Sequence, residues 1–470
     1  MSRSGVRRQI AVLCGVQFVD VLGVTSAVTA LPAMLAGVSA PVEATAILAT
    51  VYAMFFGGLL VVGARLGDRY GHRRVLLAGC VSFAVVSLIG ASAQEVVQLV
   101  TSRGLQGAAA AISVPSALRL LLDAAPAQDD RRSALAAWSA SGAAAGALGL
   151  LVGGALTDSL GWRAVVWVNV PVGIILVVAV LLVIPRSAPD DARAGLDLVG
   201  AVLLIGAVMV LIVGASLLED PVRRMVGGLI VVAGLCSAAG FLAQQRRATA
   251  PLVPRAAFTS ANLRTGSVIS FVNTATTSST GVLATLLLQQ QFGISPVRAG
   301  VTLVPFSLGV VGGSALSKPL GARLTARRLA AAGLAGIAVG NVLLVLTFGS
   351  MAGIVAGVLV AGTGLGVASV AGTAIGTEVD DSLSGTASGV LNTGAQLGTA
   401  LGVAALLLLA AGIGREGQGT AVAWGVAAGL AAVTAALLVV RPHAGKTREA
   451  SDPVGVLTVQ DEQRGDAVGG

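Results

Sequence analysis

Two charged residues inside long apolar stretches are the strongest candidates for chemistry in this sequence. Asp20 lies within the apolar run 9–35, and Arg103 lies within the run 95–122. A charge inside a membrane costs at least ~2.5 kcal/mol and is by default functional. A rise of about 1.5 Å per residue puts Asp20 roughly 16 Å from one membrane edge. Arg103 would lie roughly 10 Å from the other edge of a ~30 Å core. The two depths predict a pair, although Asp20 could instead cap polar groups and Arg103 could tie backbone carbonyls.

A third candidate is a run of polar residues in the middle of a later apolar stretch. Residues 273–280 read NTATTSST and lie within the apolar run 264–290. Hydroxyl groups that face lipid gain nothing, so this run favours the polar wall of a cavity. Serine and threonine can also bond to carbonyls of their own helix, which makes helix packing the alternative.

The residues that could serve enzyme chemistry do not form a recognisable catalytic pattern in the sequence. The three cysteines, Cys14, Cys80 and Cys236, all lie in apolar runs, which argues against a disulfide framework or a metal site. The two histidines, His72 and His443, lie in a predicted loop and in the tail. No nucleophile–base pair, phosphate-binding loop or metal cluster is recognisable. We therefore expect neither an enzyme nor a cofactor.

The composition predicts a membrane protein built from many spanning helices. Of the 470 residues, 55% are hydrophobic and 11% are charged, and the mean hydropathy is +0.89. Soluble domains carry about 25% charged residues. Lipid offers the backbone no hydrogen-bonding partner, so spanning segments should be α-helices of roughly 20 residues. The apolar runs predict fourteen spans, which are 9–35, 45–66, 75–92, 95–122, 132–157, 163–184, 196–217, 223–243, 264–290, 297–317, 329–349, 351–375, 385–412 and 419–440.

Basic residues are distributed unevenly between the two sides of the predicted membrane. With an even number of spans, both termini lie on one side, and that side carries 24 of the 30 Lys and Arg residues. The opposite side carries five, and Arg103 lies within a span. The positive-inside rule then predicts a multi-pass protein of the cell membrane with both termini in the cytoplasm. This distribution explains the net charge of +8 without a nucleic-acid partner.

The loop after the second span resembles the signature loop of the major facilitator superfamily. Residues 64–74 read ARLGDRYGHRR, and they match the pattern at Leu66, Asp68, Arg69, Gly71 and Arg73. A carboxylate among arginines at a helix end can form a charge network with a neighbouring helix. The resemblance implies that Asp68, with Arg69, Gly71 and Arg73, latches the two halves on the cytoplasmic side in one of two alternating states. A solvated basic loop that only sets the topology is the alternative.

Spans four and five also resemble motifs of this superfamily. Arg103, Gln106 and Gly107 match the fourth-span motif. Span five resembles a glycine-rich exporter motif, although Leu150 stands where the pattern has proline. Glycines four residues apart allow helices to approach closely, so packing alone is the alternative. The packing residues are Gly142, Gly146, Gly149 and Gly153.

Further landmarks between about residue 10 and residue 440 resemble the fourteen-span drug:proton antiporter branch (QacA/EmrB type). They include the segments 161–163, 169–173 and 289–293. The first-span Asp of that branch falls on Gly23 here, and Asp20 lies nearly on the same helical face, so we interpret Asp20 as its replacement. The resemblance implies a central cavity lined by Gln17, Thr25, Gln106, Asn273, Thr276, Thr277, Thr280, Asn392 and Gln396.

The same resemblance implies the domain organisation of a secondary transporter. Residues 63–66 recur as 321–324 in an equivalent position, which favours a duplicated half. The expected fold is all-α, with two pseudo-symmetric six-helix halves and two extra central helices. The boundaries are an N-terminal half at 1–184, a linker with the extra helices at 185–263 and a C-terminal half at 264–440. A disordered cytoplasmic tail follows at 441–470.

These features together predict a proton-coupled exporter of small organic molecules such as drugs, antibiotics or secondary metabolites. Its partners would be a small-molecule substrate, protons and the lipid bilayer, and it would act as a monomer by alternating access. Protonation of Asp20 would weaken its pairing with Arg103 and allow substrate exchange. An uncoupled facilitator or importer remains an alternative, as does a receptor or scaffold on the same fold. The two intramembrane charges favour coupling, because a scaffold would not need them.

Overall fold

Helices make up nearly all of the described chain, and no strand occurs in that part of it. The computed structural model describes residues 3–41, 44–125, 128–186, 196–218, 222–249, 251–252, 260–379, 384–413 and 418–440. The tail predicted at 441–470 lies outside these residues. The all-α prediction is confirmed.

Fourteen helices follow one another along the described chain, in agreement with the fourteen predicted spans. Thirteen of them are long and apolar enough to cross a membrane. The remaining helix, α9, is long enough with 26 residues, but its mean hydropathy is too low to be counted among the thirteen. The polar run at 273–280 lowers this hydropathy. The helices are α1 (Arg3–Gly37), α2 (Ala44–Tyr70), α3 (His72–Ala91), α4 (Val96–Ala124), α5 (Gln128–Leu160), α6 (Trp162–Val183), α7 (Leu198–Leu217), α8 (Arg224–Arg247), α9 (Ala261–Leu286), α10 (Pro296–Gly321), α11 (Ala326–Thr347), α12 (Met351–Thr377), α13 (Ser384–Ala411) and α14 (Gln418–Val440).

Glycines with positive φ angles allow the sharpest turns between consecutive helices. Gly71 separates α2 from α3 with φ 91°, and Gly161 separates α5 from α6 with φ 84°. Gly293, with φ 62°, lies between α10 and a π-helical extension of α9 at Leu287–Gln291. Glycine adopts positive φ without the steric cost that a Cβ brings. The predicted latch residue Gly71 therefore has a definite backbone role.

Two bundles with the same internal packing make up most of the fold. Helices α1–α6 pack on one another, with α1 against α5 and α2 against α4. Helices α9–α14 repeat this pattern, with α9 against α13 and α10 against α12. The bundles meet where α2 packs on α13 and α5 packs on α10. In both contacts the second helix of one bundle packs on the fifth helix of the other, as expected for two similar halves related by an approximate twofold axis. This arrangement agrees with the predicted pseudo-symmetric halves, whose residue boundaries stay a prediction.

The extra helices α7 and α8 pack against each other and lie beside the contact between the bundles. α7 packs on α2 and also contacts α13. Ile205 of α7 fills the space beside Gly58 of α2, where a methyl group would overlap the Ile205 side chain. The pair is thus attached to one of the two interfaces that join the bundles.

Candidate functional site

A cavity of about 570 Å³ lies between the two bundles. Its walls come mainly from α1, α2 and α5 of the first bundle and from α9, α10 and α13 of the second. Most of the lining side chains are apolar, and polar groups are added at intervals. The residues predicted for the site that line this cavity are Gln17, Asp20, Thr25, Arg103, Thr277 and Gln396.

The cavity is closed at one end of the molecule. We call the end at which α1 begins and α14 ends the terminal end, and the opposite one the loop end. Near the loop end, Gln289 Nε2 donates to the Thr29 carbonyl at 2.8 Å, and the Val297 amide donates to Asp158 Oδ2 at 3.1 Å. Both bonds join the first bundle to the second. The loop-end lining residues Met34 and Leu303 are accordingly buried.

Toward the terminal end, the cavity walls separate. Ser139 of α5 and Ser314 of α10 both line the cavity there and are exposed. The same two helices touch closely near the loop end, where Gly300 faces the Leu150 carbonyl. The cavity therefore opens at the terminal end.

Asp20 and Arg103 are connected through a tyrosine. The Tyr52 hydroxyl donates a hydrogen bond to Asp20 Oδ1. The Arg103 guanidinium lies over the Tyr52 ring, with its central carbon 5.0 Å from the ring centroid, a cation–π geometry. No direct salt bridge joins Asp20 to Arg103, both of which the structure describes, but their charges interact. Asp20 and Arg103 both contact Tyr52, so the predicted pair is connected through this aromatic residue.

Arg103 is held in place by a chain of polar contacts within the first bundle. Its Nη1 donates to Gln106 Oε1 at 2.9 Å, and Gln106 Nε2 donates to Ser87 Oγ at 2.8 Å. All three side chains are buried. Gln106 was predicted to line the cavity, but it does not line it. It instead orients Arg103 through a hydrogen bond from a position outside the cavity wall.

The glycines of span five lie against α1, in the position expected for helix packing. A methyl group on Gly149 would overlap the Thr25 hydroxyl, and one on Gly153 would overlap the Ser26 carbonyl. Gly142 lies beside Gln17. Gly142 and Gly146 also line the cavity, so the close approach of α5 shapes one cavity wall.

Only part of the polar run in α9 faces the cavity. Thr277 and the neighbouring Ser278 line it. Asn273 points away from the cavity and donates to Ser369 Oγ at 2.8 Å. Thr276 donates to the Val272 carbonyl at 2.8 Å, and the Thr280 hydroxyl lies 2.7 Å from Asn341 Oδ1. Asn392 of α13, also predicted for the cavity wall, is exposed and does not line it.

The predicted latch residues lie at the terminal ends of α2 and α3. Asp68 Oδ1 lies 3.2 Å from His72 Nε2. Arg69 lies over the Tyr70 ring at 5.4 Å, and Arg73 Nη2 donates to the Leu181 carbonyl at 3.0 Å. His72 was interpreted above as a loop residue, but it is the first residue of α3 and is buried. The connection between α2 and α3 is this short because Gly71 alone makes the turn.

Several residues of the site were not predicted. Tyr52 is one of only two tyrosines in the chain and lies in an apolar span, so its rarity was a usable signal. Asn341, which has no polar neighbour in the sequence, pairs with Thr280 across two helices. Ser307 and Thr399 line the cavity, yet nothing distinguishes them from other small polar residues in the spans, whereas Ser278 lies in the polar run 273–280 predicted to form a cavity wall.

Comparison with known proteins agrees with this architecture. The chain is 31% identical over 372 residues to a Streptomyces coelicolor protein named "Probable actinorhodin transporter", which covers 76% of this chain and 64% of the relative. It is 35% identical over 263 residues to the tetracenomycin C resistance and export protein of Streptomyces glaucescens, which covers 55% of this chain and 48% of the relative. The chain thus spans less than two thirds of the length of these relatives.

Similarity to solved structures concerns the fold alone. A crystal structure of the peptide transporter POT in complex with sulfate superposes with a TM-score of 0.69 at 15% identity, and the match covers 92% of this chain and 94% of that chain.

The model of the Major Facilitator Superfamily matches residues 13–243 and 266–461, which is most of the sequence. This match agrees with the two six-helix bundles, the cavity between them and the signature loop after α2. The protein belongs to the Major Facilitator Superfamily.

Proposed function

We propose that the protein exports small organic molecules from the cell by proton antiport, with alternating access to the central cavity. The observation that carries the proposal is a carboxyl group, Asp20, that lines the cavity and is linked through Tyr52 to the buried Arg103. A group that can take up and release a proton inside the substrate cavity couples the two fluxes. The names of the relatives, one a transporter and the other an export protein, support the outward direction.

Coupling follows from what each charge state of Asp20 binds. The ionised carboxylate accepts the Tyr52 hydrogen bond and attracts Arg103, which draws α1, α2 and α4 together at the cavity wall. Protonation removes the negative charge and weakens both interactions, which favours release of the substrate from the cavity wall, so that proton and substrate occupy the site in turn as antiport requires. Substrate and proton therefore change the same set of contacts, as linkage between two ligands requires.

Alternating access requires that the two ends of the cavity open in turn. In this structure the loop-end contacts Gln289–Thr29 and Asp158–Val297 hold the bundles together, and the terminal end is open. If the termini are cytoplasmic, as the distribution of basic residues indicates, the cavity faces the cytoplasm and is ready to load substrate. One chain contains the complete cavity, which supports a monomer as the working unit.

The test of export begins with a susceptibility screen. Expression in a pump-deficient bacterial host is expected to raise resistance to at least one antibiotic of a diverse panel, and that compound then serves as the substrate. Purified protein in proteoliposomes should move it against its gradient when a pH gradient is imposed, and a protonophore should stop this movement. Transport that only equilibrates the substrate would instead identify an uncoupled facilitator.

The topology makes a separate prediction. Because the terminal side is expected to carry most basic residues, reporter fusions should report a cytoplasmic location near Arg73, Arg193, Arg255 and Arg327. Fusions near Glu43 and Glu416 should report the opposite side. Arg255 tests the extra helix pair directly, and an external location there would contradict the fourteen-span topology.

Replacement of the latch carboxylate should slow transport without affecting insertion. Asp68→Asn keeps the size of the side chain and removes its charge, so a charged contact is lost and packing is kept. We expect a rate roughly fivefold lower, the effect of about 1 kcal/mol. Initial transport rates at matched membrane expression provide the measurement. An unchanged rate would mean that the loop serves only as a topology signal.

A further inference from the structure

A buried acidic residue joins the two extra helices at the terminal end. Asp197 immediately precedes α7 and is only 6% exposed. Its carboxylate accepts hydrogen bonds from the Gly200 amide at 2.8 Å, from Gln245 Nε2 at 2.7 Å and from Gln244 Nε2 at 3.2 Å. The first donor belongs to α7, and the other two belong to the end of α8. The position of this charge is therefore set by both extra helices.

Arg65 of α2 connects this carboxylate to the latch loop. Its Nη2 donates to the Pro251 carbonyl at 2.8 Å, in the segment that follows α8. The guanidinium interacts electrostatically with Asp197 and with Asp68. Asp68 follows Arg65 by three residues, so the two side chains lie on one face of the helix. One cation is thus shared between the latch carboxylate and the extra helix pair.

Apolar packing around this cation keeps the two parts together. Val62 of α2, Ala201 of α7 and Leu252 form a buried cluster, against which Leu66 and Phe241 pack. Ile205 fills the space beside Gly58 one to two turns away. α2 and the extra pair are therefore in contact over a long stretch and should move as one unit.

We propose that Asp197 is a positioning residue for the latch, a role that rests on the transport function proposed above. Asp197 attracts the Arg65 guanidinium, whose hydrogen bond to the Pro251 carbonyl keeps it beside the end of α8, and so competes with Asp68 for that cation. Asp68 then remains available to the second bundle when the terminal end closes. The extra helices accordingly take part in the transport cycle through the latch loop, although none of these groups lines the cavity.

The test compares one single variant with one double variant. Asp197→Asn removes the charge that competes with Asp68 for Arg65 and is expected to slow transport roughly fivefold. Arg65→Gln combined with Asp197→Asn frees Asp68 again, and the rate should return to within about twofold of the wild type. A merely structural role for Asp197 predicts the opposite, namely that the double variant is at least as slow as the single one.

Substrate counterflow is the appropriate assay, because exchange of labelled for unlabelled substrate needs no pH gradient. A failure of proton coupling would leave this result unaffected, whereas absence of counterflow in the wild type would contradict transport itself. Asp123→Asn is the matched control, since Asp123 pairs with Arg119 at 3.2 Å on the exposed surface. This control should retain the wild-type rate.

A conformational readout completes the test. With a weakened latch the terminal end stays open longer, so a Ser139→Cys reporter should react faster with a maleimide in the Asp197→Asn background and at the wild-type rate in the double variant. If Asp197→Asn does not fold, Asp197→Ser retains the N-cap of α7 and removes the charge. Wild-type counterflow and labelling in a folded charge-removing variant would overturn the proposal.

Discussion

Proteoliposomes that contain Asp20→Asn protein are expected to lose uphill substrate transport driven by an imposed pH gradient, down to the level of protein-free vesicles. The amide has the shape of a protonated carboxyl group but cannot release a proton. The Tyr52 hydroxyl would lose its charged acceptor, and Arg103 would lose its electrostatic attraction to Asp20. Substrate can still bind and exchange, but no proton flux accompanies it.

The decisive comparison is between uphill transport and counterflow in the same vesicles. Counterflow needs no proton movement, so Asp20→Asn should retain it while uphill transport disappears. Tyr52→Phe removes one hydrogen bond to a charged group, an effect of about 1.5–3 kcal/mol, and should impair uphill transport without abolishing it. Asp123→Asn again provides the matched exposed substitution. Uphill transport by Asp20→Asn at the wild-type rate would show that the proton path runs elsewhere or that transport is uncoupled.

A bulky side chain at Gly300 is expected to stop transport by keeping the loop end open. At this point α10 crosses α5, and a Cβ on Gly300 would overlap the Leu150 carbonyl. The neighbouring Gly154 has equally little space beside the Pro296 carbonyl. Backbone atoms cannot rotate away as a side chain can, so Gly300→Leu should force the two helices apart and prevent closure.

Gly312→Leu is the matched control, because it lies in the same helix and a Cβ there has no neighbour within 4 Å. The measurement is labelling of a Met34→Cys reporter in whole cells by a membrane-impermeant maleimide, in a background without the three native cysteines. Met34 is only 1% exposed at the closed loop end, so wild-type labelling should be slow. Gly300→Leu should raise it strongly and Gly312→Leu should not. Normal transport by Gly300→Leu would mean that closure of this crossing is not required.

The helices and their number could be predicted because membrane solvation acts on local composition. A segment of about 20 apolar residues has no alternative to a helix in lipid. The depth of Asp20 and Arg103 followed in the same way, since the helix rise converts a position in the sequence into a depth. Neither inference requires knowledge of which helices are neighbours.

The orientation of individual side chains could not be predicted to the same extent. Consecutive residues of a helix differ by about 100° in direction, so the polar run of α9 covers the whole helix circumference. The sequence therefore predicted a polar wall without saying that Thr277 faces the cavity while Thr276 bonds to its own helix and Thr280 meets Asn341.

By itself, the sequence was enough to predict an all-helical membrane protein with two charges inside its spans and a charged loop after α2. Tertiary structure alone decided that Tyr52 lies between Asp20 and Arg103, that Gln106 supports Arg103 from behind, and that Arg65 reaches the segment after α8. The physical reason is that the two kinds of feature depend on different parts of the chain. Hydration and helix geometry depend on neighbours in the chain, whereas these contacts join residues on different helices and depend on how each helix is rotated in the packed bundle.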